Sequence, residues 1–181
     1  MEQMLRNKWV LPLLGVALFA TLMAGCTAKH QTPQERAEAA KTLFEQTTKS
    51  FHIPSADAVG ALKTTLQEQA AHGYQEILGK YPEQRIYAAQ ADRSLGNIRA
   101  AQGKLDEAVR HYAAVGTKYP QQEWEVLMAW KSAADLLWEN GRKGEAAQFY
   151  EKIVNRFDTP EATSVMKMAV RGSKARLGPL S

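Results

Sequence analysis

Three segments of this chain recur at a single spacing, and no other feature of the sequence restricts its fold as tightly. YQEILGKYP (74–82), YAAVGTKYP (112–120) and YEKIVNRFD (150–158) align with their tyrosines 38 residues apart, and Tyr81, Tyr119 and Phe157 follow in the same register. Four positions before each tyrosine stands an alanine: Ala70, Ala108 and Ala146. Residues four apart share one face of a helix, so each segment predicts a helix that sets a small side chain beside an aromatic one, where a neighbouring helix can come close. Upstream of the second and third copies, AQADRSLGNIRAAQGKLDEA (89–108) aligns with MAWKSAADLLWENGRKGEA (128–146), placing Gly103 against Gly141 and Lys104 against Arg142. Glycines there mark the end of one helix and the turn into the next. Each unit is then a helical hairpin, and hairpins at constant period stack into a solenoid. β-Branched runs of strand length are absent, which agrees with an all-α fold.

The segment LGNIRAAQGKLDEAVRHYAAVGTKYP resembles a tetratricopeptide repeat. Leu95 and Gly96 take the family's paired positions in the first helix, and Ala108, Tyr112 and Pro120 its small, aromatic and terminal positions in the second. The next copy departs from the pattern, with Ala133 and Ala134 in place of the Leu-Gly pair and Pro160 two residues late. The family's usual period is about 34 residues, and the stretches YPEQRIYA and YPQQEWEV are expected to supply the difference as longer connections between hairpins. A recurrent KYP with such connections looks most like the repeats of bacterial envelope lipoproteins, among them the barrel-assembly lipoprotein and the coordinator of the Tol–Pal system. The resemblance implies a short right-handed α-solenoid with units at about 53–82, 89–120 and 127–160, closed by a capping helix at 161–177 that turns Val165, Met168 and Ala169 to one face. Ahead of it, 33–50 reads as a helix broken near Pro54, with Ser55 as N-cap of the helix that follows.

The first 25 residues stand apart in composition. MEQMLRNKWVLPLLGVALFATLMAGC carries Arg6 and Lys8, then an apolar run from Trp9 to Ala24, then small residues, the three-part build of a secretory signal. The run is shorter than the roughly 20 residues a spanning helix needs, although an uncleaved membrane anchor remains an alternative. Cys26 is the chain's one cysteine. The residues LMAGC before and including it resemble the lipobox of bacterial lipoproteins, with Met23 where Leu is usual; an ordinary signal peptide followed by an incidental cysteine is the other reading. The lipobox resemblance implies cleavage before Cys26 and acylation of its thiol and new amino terminus, and two or more acyl chains anchor a protein stably. Thr27 in place of Asp after the cysteine implies the outer membrane, with the protein facing the periplasm. The expected organisation is a signal at 1–25, a lipidated leash at 26–32 and a helical domain at 33–181. Seven steps separate Cys26 from Pro33, a reach of at most roughly 25 Å.

Little in the chain points to catalysis. A single cysteine allows neither an internal disulfide nor a cysteine-rich metal site. The net charge of +4 is spread among acidic residues, which argues against a nucleic-acid partner. His30, His52, His72 and His111 form no i, i+4 pair, and no HExxH, GxSxG or glycine-rich phosphate loop is present. Asp106, Glu107 and Glu145 sit at helix starts, where capping and the helix dipole account for them. No cofactor, metal or enzymatic activity is expected; protein binding is. By repeat register the first helices present Gln90, Arg93, Asn97 and Ala101 in one unit and Met128, Lys131, Asp135 and Glu139 in the next, with Trp138 beside them. In some members of the family a Lys or Arg and an Asn in these places grip a peptide's terminal carboxylate, but Asp135 would repel one. Trp130 and Trp138 are expected on one face as core, and Trp124 in a connection. The expected role is an envelope scaffold with a protein partner; a self-associating structural lipoprotein, or an accessory to a membrane-bound pathway, is the alternative.

Overall fold

The computed structural model describes residues 31–178. Among these residues every regular element is helical. The first, α1 (Pro33–Thr47), begins in a capping box: Thr32 Oγ1 accepts from the Glu35 amide at 3.2 Å, and Glu35 Oε2 accepts from the Thr32 amide at 2.7 Å. Pro33 follows the cap, where a missing N–H costs nothing.

The break expected at Pro54 does not occur. The backbone stays helical through a π-turn (Thr48–His52) into α2 (Ile53–Asp57). A proline ring collides with the carbonyl four residues back in a regular helix; here the Ile53 amide reaches five residues back to the Thr48 carbonyl, and this wider turn accommodates the proline. Ser55 is not an N-cap either. It is buried, and its hydroxyl donates to the His52 carbonyl at 2.7 Å. The reversal falls at Ala58–Val59, and α3 (Gly60–Lys80) starts without a side-chain cap.

From there the repeat is visible in the backbone. The helices α4 (Arg85–Ala101), α5 (Leu105–Lys118), α6 (Glu123–Glu139) and α7 (Lys143–Phe157) form two hairpins whose helices begin 38 residues apart, and α8 (Ser164–Leu177) packs on α7. Gly103 and Gly141 turn the hairpins at φ of +73° and +77°, a left-handed conformation that a side chain would oppose. The four additional residues of each period do not lengthen the connections, which are Tyr81–Gln84 and Tyr119–Gln122. They extend the first helices, which start at Arg85 and Glu123 and not near 89 and 127. An Ala-Ala pair (Ala88, Ala89) and its counterpart Val126, Leu127 are buried, so the added helical turn has apolar contacts to hold it.

Sequential helices pack most closely, α1 lies on α3, and the core falls into two parts that share the partly buried Leu78. Its first part gathers Ala70, Tyr74, Ile77, Ala91, Leu95 and Ile98, with Phe44 closing over Tyr74 at 5.5 Å between ring centres. The larger second part runs from Ala108 and Tyr112 through Leu127, Leu137 and Tyr150 to Val170 on α8.

Two edges of the stack differ in what they carry. The guanidinium of Arg36 on α1 pairs with Glu83 at 2.6 Å and lies 5.1 Å from the Tyr81 ring centre, so the chain enters the domain beside the α3–α4 connection. On that same edge Arg156 donates to the Pro120 carbonyl, and Lys167 to that of Pro160 at 2.9 Å. The hairpin turns lie on the opposite edge, where Arg142 pairs with Asp106 at 2.5 Å and Glu145 at 2.6 Å, and there the α2–α3 reversal is found as well.

Candidate partner-binding groove

The repeat tyrosines organise the first helices. Tyr112 donates its hydroxyl to Asn97 Oδ1 at 2.8 Å, and Tyr150, one period later, donates to Asp135 Oδ1 at 2.9 Å. Burial pushes both phenols up to about 12, and for Tyr150 the bond to Asp135 adds to the effect. Asn97 and Asp135 are thus equivalent acceptors for a buried tyrosine. Their exchange in the sequence leaves that task unchanged.

The same geometry uses up the side chains expected to meet a ligand. Arg93 Nε binds Glu125 Oε2 at 2.6 Å, tying α4 to α6 through a carboxylate that is only 4% exposed. Lys131 pairs with Asp135 one turn on. Arg93, Asn97 and Lys131 therefore hold the fold's own acceptors or tyrosines, and no pair of them is left to grip a peptide carboxylate. Gln90 lies half-buried on α4.

The candidate residues separate into two sets. Met128, Lys131, Asp135 and Trp138 line one groove of about 500 Å³ between α6 and α8, and Gln90, Arg93 and Asn97 do not border it. The other wall belongs to α8, with Val165, Met168, Ala169, Gly172, Ser173 and Arg176. The helix α8 caps the stack as expected, but Val165 and Met168 are not on the face that does so. Its inward face is Met166, Val170, Ser173 and Leu177, whereas Val165 and Met168 stand 47% and 62% exposed. Residues 100° apart per step diverge over two turns, so α8 both closes the core and walls the groove. No repetition marked this use, because α8 has no following copy to align with.

Trp124 opens the groove at the start of α6, 48% exposed. Trp138 lies deeper, edge-on to Tyr150 at 6.1 Å and beneath the Arg176 guanidinium at 4.7 Å from the ring centre. Trp130 points elsewhere, edge-on to Phe157 at 6.3 Å. Trp130 and Trp138 both pack, partly buried, against the larger part of the core, each with its own aromatic partner. Such a groove offers apolar contact with a cation at its rim.

Two further titratable side chains, His52 and Asp92, are engaged within the fold. His52 Nδ1 meets the Tyr74 hydroxyl at 2.8 Å, and burial, with the nearby Arg93 charge, lowers its basicity. Asp92, 1% exposed, would be raised by burial, but the His111 bond at 3.1 Å and the Lys118 charge at 3.2 Å bring its carboxyl below the usual range. His72 is exposed on α3. Among the described residues no group of three or more His, Cys, Asp or Glu side chains is placed to hold a metal, and no helix is long and apolar enough to cross a membrane. His30 and Cys26 lie outside the described residues.

Comparison with known families agrees with this architecture. The tetratricopeptide repeat model matches residues 91–121, the span from α4 through α5 into the following connection. No curated protein matches the chain. The described residues form an all-helical stack consistent with a tetratricopeptide-like solenoid, and tetratricopeptide repeats generally mediate protein–protein interaction.

Proposed function

We propose that the protein is a membrane-anchored envelope scaffold that binds a partner protein in the groove between α6 and α8, with Cys26 as its lipid attachment point. The observation that carries the reading is the groove itself: about 500 Å³, walled by two helices of a repeat domain, lined by the half-buried Met128 and presenting Trp124, Val165 and Met168 to solvent. Exposed aromatic and methionine side chains beside an arginine are the material of binding hot spots. The sequence at Cys26 supports the anchor, and its position before Thr27 supports the outer membrane.

Pairing of two copies through α8 is disfavoured by charge, since that helix carries Lys167, Arg171, Lys174 and Arg176 and no carboxylate. A photo-crosslinking residue at Met128 or Met168 should yield a discrete adduct in intact cells, and one at Gln148 on the exposed side of α7 should not. Met168→Glu in the Met128 crosslinking variant should remove the adduct; equal adducts from all three positions would rule the groove out.

A further inference from the structure

The helices α4, α6 and α8 share one feature that the core does not require, and two of its three side chains, Trp124 and Val165, also stand at the mouth of the groove. Ile86, Trp124 and Val165 are each the second residue of their helix, on α4, α6 and α8, and each is about half exposed, at 48%, 48% and 47%. They form an apolar row across successive units, on the edge that holds the connections. The chain enters the domain on that same edge, as the contacts of Arg36 with Glu83 and Tyr81 show. A second exposed apolar cluster, Ile53, Val59 and Leu62, lies at the α2–α3 reversal on the other edge. The 21 residues of α3 separate the two edges by roughly 30 Å at 1.5 Å per residue.

We propose that the Ile86–Trp124–Val165 edge is a membrane contact, seated in the headgroup boundary of a lipid bilayer. The inference rests on the reading of Cys26 as a lipid anchor. Seven steps of chain join Cys26 to Pro33, so the entry edge stays within roughly 25 Å of the surface to which Cys26 is fixed. Tryptophan favours the interface between water and acyl chains, and aliphatic neighbours favour the acyl side. Three half-exposed side chains bind a bilayer weakly on their own. A tether that never lets the edge leave supplies the effective concentration such a contact needs. Charge on this edge is mixed: Arg36, Lys80 and Lys118 are paired with Glu83, Glu76 and Asp92, and Arg85, Arg156 and Lys167 stand among Glu123, Asp158 and Glu161. The contact is therefore apolar in origin and indifferent to anionic lipid. With this edge down, Trp124 and Val165 place the mouth of the groove at the bilayer surface, while the Leu62 cluster points away.

The test uses full-length protein purified from membranes and reconstituted into phosphatidylcholine vesicles containing a spin-labelled quencher lipid. An environment-sensitive fluorophore is attached through Trp124→Cys, Ile86→Cys or Leu62→Cys. Labels at 124 and 86 should shift to the blue and lose most of their emission to the quencher, whereas the label at 62 should behave as in water. Adding phosphatidylglycerol should leave this pattern unchanged. Retaining Trp124 in the Ile86→Cys variant guards against loss of the row through the substitution itself. Protein that floats with the vesicles while labels at 124 and 86 remain in water, or while the label at 62 is the one quenched, overturns the proposal. Wild-type protein that accepts the fluorophore at Cys26 and fails to float overturns the anchor, and the contact falls with it.

Discussion

At the scale of single residues, the most informative position is Gly96. A Cβ there would stand 2.5 Å from the Tyr112 ring, so α4 and α5 meet at a distance only glycine permits. Alanine is the better helix former by about 1 kcal/mol, yet Gly96→Ala should lower stability by roughly 1–3 kcal/mol because the ring must move and is held by its bond to Asn97. Urea unfolding of the variant decides the sign. Removing the bond alone, in Tyr112→Phe, should cost about 1 kcal/mol, measurable in the same way. The Leu-Gly pair was legible in the sequence as a family position, and the contact explains its presence. The roles of Asn97 and Asp135 were not legible, since the tyrosine each one binds lies 15 residues further along the chain, on the neighbouring helix.

At the scale of elements, two joints hold the stack in register. Arg93 and Glu125 link α4 to α6, and Glu125 is nearly inaccessible. Glu125→Gln should destabilise the domain by roughly 1–3 kcal/mol, with a smaller loss for Arg142→Ala on the exposed edge, where ion pairs contribute below about 1 kcal/mol. The π-turn is the other joint, where Tyr74 binds both Thr48 and His52 at 2.8 Å. Because burial lowers the folded basicity of His52 beneath its ordinary value near 6.5, the unfolded chain takes up the proton first. Stability from this group is full above about pH 6.5 and falls as the pH drops from there toward the folded value. Thermal melts between pH 7 and pH 5 should show that fall, and His52→Gln should flatten it; an unchanged slope would place the titration elsewhere. Proline in the sequence was read as a break because a regular helix excludes it. The one-residue expansion that tolerates it depends on packing against α3, which no local pattern displays.

At the scale of the whole molecule, the proposals concern placement. Replacing Cys26 with Ala should shift the protein from the membrane fraction to the soluble one and abolish incorporation of labelled fatty acid; continued incorporation would refute the attachment point. The groove is likewise a property of the assembled stack. Met128, Lys131, Asp135 and Trp138 could be taken from repeat register as a set, but the facing wall comes from a helix outside the repeat, and Gln90, Arg93 and Asn97 face a different neighbourhood.

Periodicity is a local code: the 38-residue spacing, the small and aromatic positions and the turn glycines determine that helices form, where hairpins turn and that the hairpins stack. All of these depend on residues near one another in the chain. Which polar side chains are consumed inside the stack, and which apolar ones are left at its edge, depends on partners brought together from separate helices. The tertiary structure alone decided that Arg93 faces Glu125, that α8 walls a groove, and that Ile86, Trp124 and Val165 line the edge where the chain enters. Burial is a property of the packed assembly, and a chain carries no record of it until its neighbours are in place.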